Sequence, residues 1–166
     1  MQKIIGSSMV IAACTAFGFE KSRKLQLHLR ELENLRDIFV LLKKELQYTK
    51  APFFELFMKI GRKMSGRYQE WLMELANELE GCHGGTFLAL WKKQVEKYFS
   101  KGNLSKLELE ELCRVGNSLG YPETIELYLE QLELSIQSTR EELKTKKKLY
   151  RSMGIMCGIF LVIVLL

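Results

Sequence analysis

Histidine and cysteine are the residues of this chain that could carry catalysis or hold a metal ion, and both are few. The 166-residue sequence has two histidines, His28 and His83, and four cysteines without CxxC spacing. Neither histidine belongs to a set of three His, Cys or acidic residues at helical spacing that would form a metal-binding face. Cys82 and His83 could form a three-ligand site with Cys113, but an exposed loop with an incidental cysteine and histidine is the favoured interpretation.

Phosphate and cofactor chemistry is not indicated either. No glycine-rich loop precedes a Lys-Ser or Lys-Thr pair, and no strand signal supports such a loop. Two of the four cysteines lie inside apolar runs, so a disulfide framework is not expected, in agreement with a reducing cytosol. We therefore expect no catalytic residues, no cofactor and no metal, and a protein that is not an enzyme.

Charge is the second kind of chemistry in the sequence, and it is unevenly distributed. Residues 21–102 carry 16 basic and 10 acidic side chains, whereas residues 103–139 carry 2 basic and 7 acidic ones. The acidic segment predicts a docking surface for a basic partner, which would steer association more than add affinity. A solvated helical face without a partner is the alternative. The candidate docking residues are Glu108, Glu111, Glu126, Glu130 and Glu133.

Basic side chains in the first half of the chain predict a complementary positive surface. It would suit lipid headgroups or a second copy of the protein, and its candidate residues are Lys43, Lys44, Lys59, Arg62, Lys63 and Arg67. The sequence pI of about 9.0 could also suggest nucleic-acid binding. That function is not favoured, because the basic residues are not interleaved with exposed aromatic side chains.

The elements that carry these residues are all predicted to be helices. Leucines and a phenylalanine recur at three and four residues from Leu25 to Leu46, which predicts an amphipathic helix over 20–48. Pro52 is predicted as the first residue of a second helix, and Thr86 as the cap of a fourth. Ser105 and Glu108 form a capping box for a fifth helix that ends at Gly120. A third helix carries Trp71 and the fourth carries Trp91, and both tryptophans fall on apolar stripes that predict a place in the core. A last helix runs from about residue 123 without a breaker until Gly154, and the first and last helices are expected to form an antiparallel stalk. The apolar stripe of the last helix is Ile125, Tyr128, Leu129, Leu132, Ile136, Leu143 and Leu149.

Uncharged runs at both ends predict membrane helices. Residues 4–19 and 153–166 carry no charged side chain, although 16 and 14 residues are short for a hydrocarbon core of about 30 Å. Shallow insertion of one run is the alternative. We predict a membrane helix over 1–20, a cytosolic helical bundle over 21–151 and a membrane helix over 152–166.

Basic residues flank both runs on the side of the domain, which predicts a cytosolic location for the domain by the positive-inside rule. They are Lys21, Arg23, Lys24, Lys146, Lys147, Lys148 and Arg151. A signal peptide is the alternative at the first run, because Lys3 precedes it. The positive charge after the run is stronger than the charge before it, which favours a retained membrane helix.

Small residues recur at intervals of four in both runs. This small-xxx-small pattern lets two membrane helices approach closely. In an antiparallel pair, Ala16 would lie near the depth of Gly154, and Ala12 near that of Gly158. The alternative is that small residues are simply frequent in membrane helices.

The order and spacing of several short motifs resemble the stage III sporulation protein AB family of endospore-forming bacteria. The motifs are Gly18-Phe19-Glu20-Lys21-Ser22, Leu46-Gln47-Tyr48-Thr49-Lys50-Ala51-Pro52, Trp91, Leu119-Gly120 and Gly154-Ile155-Met156-Cys157-Gly158-Ile159. The resemblance covers essentially the whole chain. That family is similar in its cytosolic part to the helical domains of the type II secretion F protein.

The resemblance implies a component of the sporulation channel between mother cell and forespore. The protein would lie in the mother-cell-derived outer forespore membrane, with its bundle in the mother-cell cytosol. Its implied partners are a secretion-type ATPase, stage III sporulation protein AA, other stage III channel proteins and the membrane, and a homo-oligomer is a further expected assembly. A generic membrane-tethered scaffold without a sporulation role shares every feature except the resemblance.

Overall fold

The computed structural model describes the backbone of residues 2–49, 51–81 and 86–165. It describes the side chains of residues 22–49, 51–81, 86–146 and 149. Within these ranges all regular structure is helical, as predicted. The six α-helices are α1 (Gln2–Tyr48), α2 (Phe53–Gly61), α3 (Arg67–Gly81), α4 (Phe87–Phe99), α5 (Lys106–Val115) and α6 (Pro122–Leu165), and one 3₁₀ turn spans Gly116–Ser118.

Helix ends agree with the sequence at one cap and differ at others. The Ser105 N–H donates to Glu108 Oε2 at 2.7 Å, and the Glu108 N–H donates to Ser105 Oγ at 3.3 Å, which confirms the capping box. Thr86 is the N-cap of α4, but its side chain makes no capping hydrogen bond. Pro52 is the N-cap of α2 rather than its first residue, because its ψ of 152° is extended. The α-helix of α5 ends at Val115, where the chain tightens into the 3₁₀ turn before Gly120.

The chain divides into two compact units. One unit comprises residues 30–135, and the other comprises residues 1–29 and 136–166. In the first unit, α1 and α6 are antiparallel, because Arg36 pairs with Glu133 and Lys43 pairs with Glu126. The antiparallel pairing of first and last helices is therefore confirmed in this region.

The core of residues 30–135 is formed by the apolar stripes of all six helices. The predicted stripe of α1 is buried at Leu32, Leu35, Phe39 and Leu42, and Ile38 joins it. Ile125, Tyr128 and Leu132 of α6 are buried as predicted. Leu149 was expected on the same stripe, but it is 55% exposed. The stripe of α6 thus does not extend that far along the helix.

Trp91 of α4 is the centre of an aromatic cluster in this core. Its ring lies 6.4 Å from Phe39, 6.1 Å from Phe57 and 5.3 Å from Trp71. Its Nε1–H donates to the Leu112 carbonyl of α5 at 2.9 Å, so the buried polar group is satisfied. One side chain therefore contacts α1, α2, α3 and α5, and the prediction that both tryptophans are core residues is confirmed.

Among the described residues, no helix is both long enough and apolar enough to cross a membrane. The side chains of the predicted membrane helices over 1–20 and 152–166 lie outside the described residues. Both membrane helices stay predictions. The same holds for the packing residues Ala12, Ala16, Gly154 and Gly158.

Candidate partner-docking surface

The structure separates the predicted docking glutamates according to what each one contacts. Glu108 is in the first turn of α5, and its carboxylate accepts the Ser105 N–H. Glu126 Oε1 lies 2.9 Å from Lys43 Nζ, and Glu133 Oε2 lies 3.7 Å from Arg36 Nη1. These three carboxylates therefore hold a helix cap and join α6 to α1.

Glu111 and Glu130 remain available for a partner. Neither forms an ion pair within 4 Å with any described basic side chain, and the same is true of two further acidic residues, Glu110 and Glu123. The predicted set of five is thus not a single surface. The available acids comprise two predicted residues and two that the sequence-based prediction did not include.

The outward face of α6 carries a regular pattern of these acids with exposed leucines. Glu123, Leu127, Glu130 and Leu134 are spaced by four, three and four residues, so they share one face of the helix. All four are exposed, and the two leucines are 64% and 67% exposed. This face is opposite the buried stripe that packs on the core.

A groove of about 350 Å³ runs beside this face, between α5 with its 3₁₀ turn and the start of α6. Val115 and Tyr128 form its buried part. Burial raises the pKa of the Tyr128 hydroxyl, and the nearby carboxylates of Glu111 and Glu108 raise it further. The groove is lined by Glu111, Arg114, Val115, Asn117, Ser118, Thr124, Leu127, Tyr128 and Gln131.

The predicted positive surface is partly used within the chain. Lys43 pairs with Glu126, and Lys59 Nζ lies 2.7 Å from Glu45 Oε2. The hydrogen bond from Lys59 holds the pKa of the Glu45 carboxyl below its usual range. Lys44, Arg62 and Lys63 form no ion pair within 4 Å with a described acidic side chain. Arg62 and Lys63 line an open cleft of about 640 Å³ next to α2.

Arg67, the last residue of the predicted positive surface, belongs to a buried polar cluster that sequence reasoning missed. Its Nη2 donates to Glu31 Oε1 at 2.5 Å, and the Glu31 side chain is only 2% exposed. Glu31 Oε2 accepts the Asn103 backbone N–H at 2.8 Å and the Asn103 side-chain amide at 3.2 Å. The cluster therefore fixes the loop between α4 and α5 against α1 and α3.

A signal for this cluster is present in the sequence. Glu31 stands four residues before Leu35 and eight before Phe39, so it is in phase with the buried stripe of α1. A charge in phase with an apolar stripe indicates a buried ion pair. The pattern alone does not identify Arg67 and Asn103 as partners, because they are 36 and 72 residues away.

A second carboxylate cluster joins α3 to α4. Glu74 accepts hydrogen bonds from Lys97 Nζ at 2.5 Å and from the Tyr98 hydroxyl at 2.5 Å. These bonds, that of Lys97 first, lower the pKa of Glu74 to about 2. The bond to Glu74 raises the pKa of Tyr98 to about 12. The lowered pKa of Glu74 and the raised pKa of Tyr98 therefore both result from the hydrogen bonds that join α3 to α4.

Metal ligands and membrane-flanking residues complete the comparison with the sequence. Within the described part of the chain, no three His, Cys, Asp or Glu side chains are grouped to hold a metal ion. Cys82 and His83 lie outside the described residues. So do the side chains of four basic flanking residues, Lys21, Lys147, Lys148 and Arg151. Arg23 and Lys24 are exposed, and Lys146 pairs with Glu142 one turn earlier in α6.

Known proteins resemble this chain over all or most of its length. The family model for stage III sporulation protein AB matches residues 3–166. Stage III sporulation protein AB of Bacillus subtilis (strain 168) is 23% identical over 172 residues, which cover 100% of both chains. A solved structure of stage III sporulation protein AB matches with a TM-score of 0.64 at 20% identity. It covers 71% of this chain and 97% of the solved chain, and it supports the same fold. This chain belongs to the stage III sporulation protein AB family.

Proposed function

We propose that this protein is a non-enzymatic membrane platform of the sporulation channel. It couples a secretion-type ATPase, stage III sporulation protein AA, to the membrane complex between mother cell and forespore. The observation that carries the proposal is the family match over residues 3–166, which includes both uncharged end runs as well as the helical domain. A helical domain held at both ends suits a platform.

The proposed location is the outer forespore membrane, with the helical domain in the mother-cell cytosol. Lys and Arg residues follow the first uncharged run and precede the second, so both clusters are on the side of the domain. Basic residues near membrane helices favour the cytosolic side. This distribution supports a domain that is tethered to the membrane at both ends.

The contacts of the described domain support a structural role. The carboxylates of Glu31 and Glu74 are joined to Arg67 and Lys97 of other helices. These polar interactions connect different helices, as expected of a rigid scaffold. A generic scaffold outside sporulation remains the competing function, and family membership favours the sporulation role.

Affinity purification from sporulating cells tests the proposal. The tagged full-length protein is extracted with mild detergent from membranes at the stage of engulfment, and its partners are identified by mass spectrometry. We expect the ATPase and other stage III channel proteins to be enriched. The same tagged chain expressed in vegetative cells is the control. Recovery from the soluble fraction, or enrichment without the ATPase and the channel proteins, would contradict the proposal.

A further inference from the structure

We infer that the outward face of α6 and the groove beside it bind a basic amphipathic helix of a protein partner. The surface consists of Glu123, Leu127, Glu130 and Leu134, with Glu111 across the groove. We call it the α6 docking face. The inference deepens the proposed function, because it assigns the contact surface and the chemistry of the partner segment.

Exposed leucines are the first evidence for this face. Leu127 and Leu134 are seven residues apart on α6, which is about two helical turns. Each has about two thirds of its surface exposed, although α6 already has a separate buried stripe with Ile125, Tyr128 and Leu132. These leucines therefore add nothing to the core. Anchors spaced by two turns are typical of contact with another helix.

The groove beside Leu127 can receive an apolar side chain of the partner. Leu127 is on its edge, and Val115 and the Tyr128 ring are buried at its base. An apolar side chain from a partner helix would bury surface against all three residues. An apolar anchor inserted into a pocket is the usual centre of a binding interface.

The charges around the face decide the chemistry of the partner. Glu111, Glu123 and Glu130 form no ion pair within 4 Å with a described basic side chain, and Glu123 and Glu130 alternate with the two leucines along α6. Arg114 is the one basic residue among those that line the groove. A partner helix with lysine or arginine between its apolar anchors would meet three unpaired carboxylates. An acidic partner would be repelled.

A second copy of this chain is a poorer occupant. Several basic side chains in its described domain already pair with acids of the same chain, as Lys43, Lys59, Arg67, Lys93 and Lys97 do. Those contacts would have to break before these side chains could bind the acids of another copy. Of the three basic residues described above without an ion pair, Arg62 and Lys63 lie in the turn after α2 and not on a helix. A different protein with an uncommitted basic helix avoids that cost.

Titration calorimetry with designed peptides tests the inference on the full-length protein in detergent micelles. The probe is a helical peptide of leucine, alanine and lysine, with leucines two turns apart and lysines on either side. Its twin carries glutamate in place of every lysine. We expect the lysine peptide to bind, the glutamate peptide not to bind, and binding to weaken as salt is raised.

Paired charge reversals identify the surface. Glu111→Lys with Glu130→Lys should weaken binding of the lysine peptide by roughly tenfold or more, because attraction becomes repulsion. The control, Glu55→Lys with Glu70→Lys, makes the same change in net charge at two exposed acids of α2 and α3, and it should leave the affinity within about twofold. Leu127→Ser with Leu134→Ser should also abolish binding while the circular dichroism spectrum is unchanged.

Three results would overturn the inference. They are equal binding of the two peptides, equal effects of the two charge reversals, and mutual crosslinking of two copies through a photoreactive residue at Gln131. Failure of the proposed function is distinguishable from these results. In that case the ATPase and the channel proteins are absent from the purified complex, although the lysine peptide still binds the α6 docking face.

Discussion

Glu31 is a charged residue at a position where the apolar periodicity of α1 predicts an apolar one. Its two oxygens accept hydrogen bonds from Arg67 and from Asn103. A buried pair of this kind is weak evidence for net stability, but loss of one member leaves a buried charge without compensation. The loss of stability therefore depends on which member of the cluster is removed.

Arg67→Ala should destabilise the protein more than Glu31→Gln does. The first change leaves the buried carboxylate without its cation, at a cost of about 3 kcal/mol. The second removes the charge and keeps a hydrogen-bonding side chain, at a cost of about 1 kcal/mol. Urea unfolding of the full-length chain, followed by circular dichroism, measures both. Equal effects of the two substitutions would show that the charge of Glu31 is not the important property.

The lowered pKa of Glu74 predicts that the stability of the fold depends on pH. Its pKa in the folded protein is about 2, below the usual value of 4.5. The bridge to Lys97 and Tyr98 therefore stabilises the fold fully above pH 4.5, and this contribution is lost as the pH falls from 4.5 toward 2. Because the Glu74 side chain is 32% exposed, we expect a contribution of about 1 kcal/mol after solvent screening.

The comparison of the wild-type chain with Glu74→Gln measures this contribution. The difference in unfolding free energy should be about 1 kcal/mol at neutral pH. It should shrink toward zero as the pH falls from 4.5 toward 2. A difference that does not change with pH would mean that packing rather than charge holds the bridge.

Single residues could be predicted from the sequence where their role is local. Ser105 and Glu108 are three residues apart, so their mutual capping follows from spacing alone. Glu126 and Glu133 were predicted to face a partner, yet they pair with α1. The sequence did not reveal this, because their contacts depend on how two distant helices align.

At the scale of elements, the contact between the 3₁₀ turn and α4 limits what the turn accepts. A Cβ added at Gly116 would lie 2.6 Å from Trp91 Cγ and 2.7 Å from Trp91 Nε1. The Trp91 ring is 1% exposed and is surrounded by other rings, so it has no free space to move into. The absence of a side chain at Gly116 thus permits the close approach of the turn to the core.

Gly116→Ala should destabilise the protein by about 2 kcal/mol, which is typical of overpacking in a core. Gly120→Ala is the matched control, because a Cβ at Gly120 meets nothing within 4 Å. We expect that change to alter stability by less than about 0.5 kcal/mol. Thermal unfolding of both variants checks the difference. Similar losses in the two proteins would contradict the assigned contact with Trp91.

Helices were predictable because leucine spacing, glycines and the capping box all indicate the same boundaries. The 3₁₀ turn was not, because it depends on the fit of Gly116 against a tryptophan that is 25 residues earlier in the sequence. Leu127 and Leu134 also depart from the amphipathic pattern of α6, because they are apolar residues on its outward face. Sequence periodicity alone does not assign them to a partner.

At the scale of the whole molecule, the two uncharged runs predict a pair of membrane helices within one chain. Cysteines placed at Ala16 and Gly154, after replacement of the four native cysteines by serine, should crosslink within a single molecule. The mismatched pair Ala12 and Gly154 is the control, because four residues change the depth by about 6 Å. Electrophoresis without reducing agent separates the products. A dominant dimer band from the first pair would contradict the predicted pairing.

The two tryptophans of this chain give the molecule a built-in optical probe. Trp71 and Trp91 are the only tryptophans in the sequence, both are buried, and their ring centroids are 5.3 Å apart. Intrinsic emission excited at the indole band therefore comes from a single place in the protein. Unfolding of the core should move that emission to longer wavelength. Release of a partner from the α6 docking face leaves both rings buried in the core, so a shift to longer wavelength reports loss of the fold and not loss of a partner.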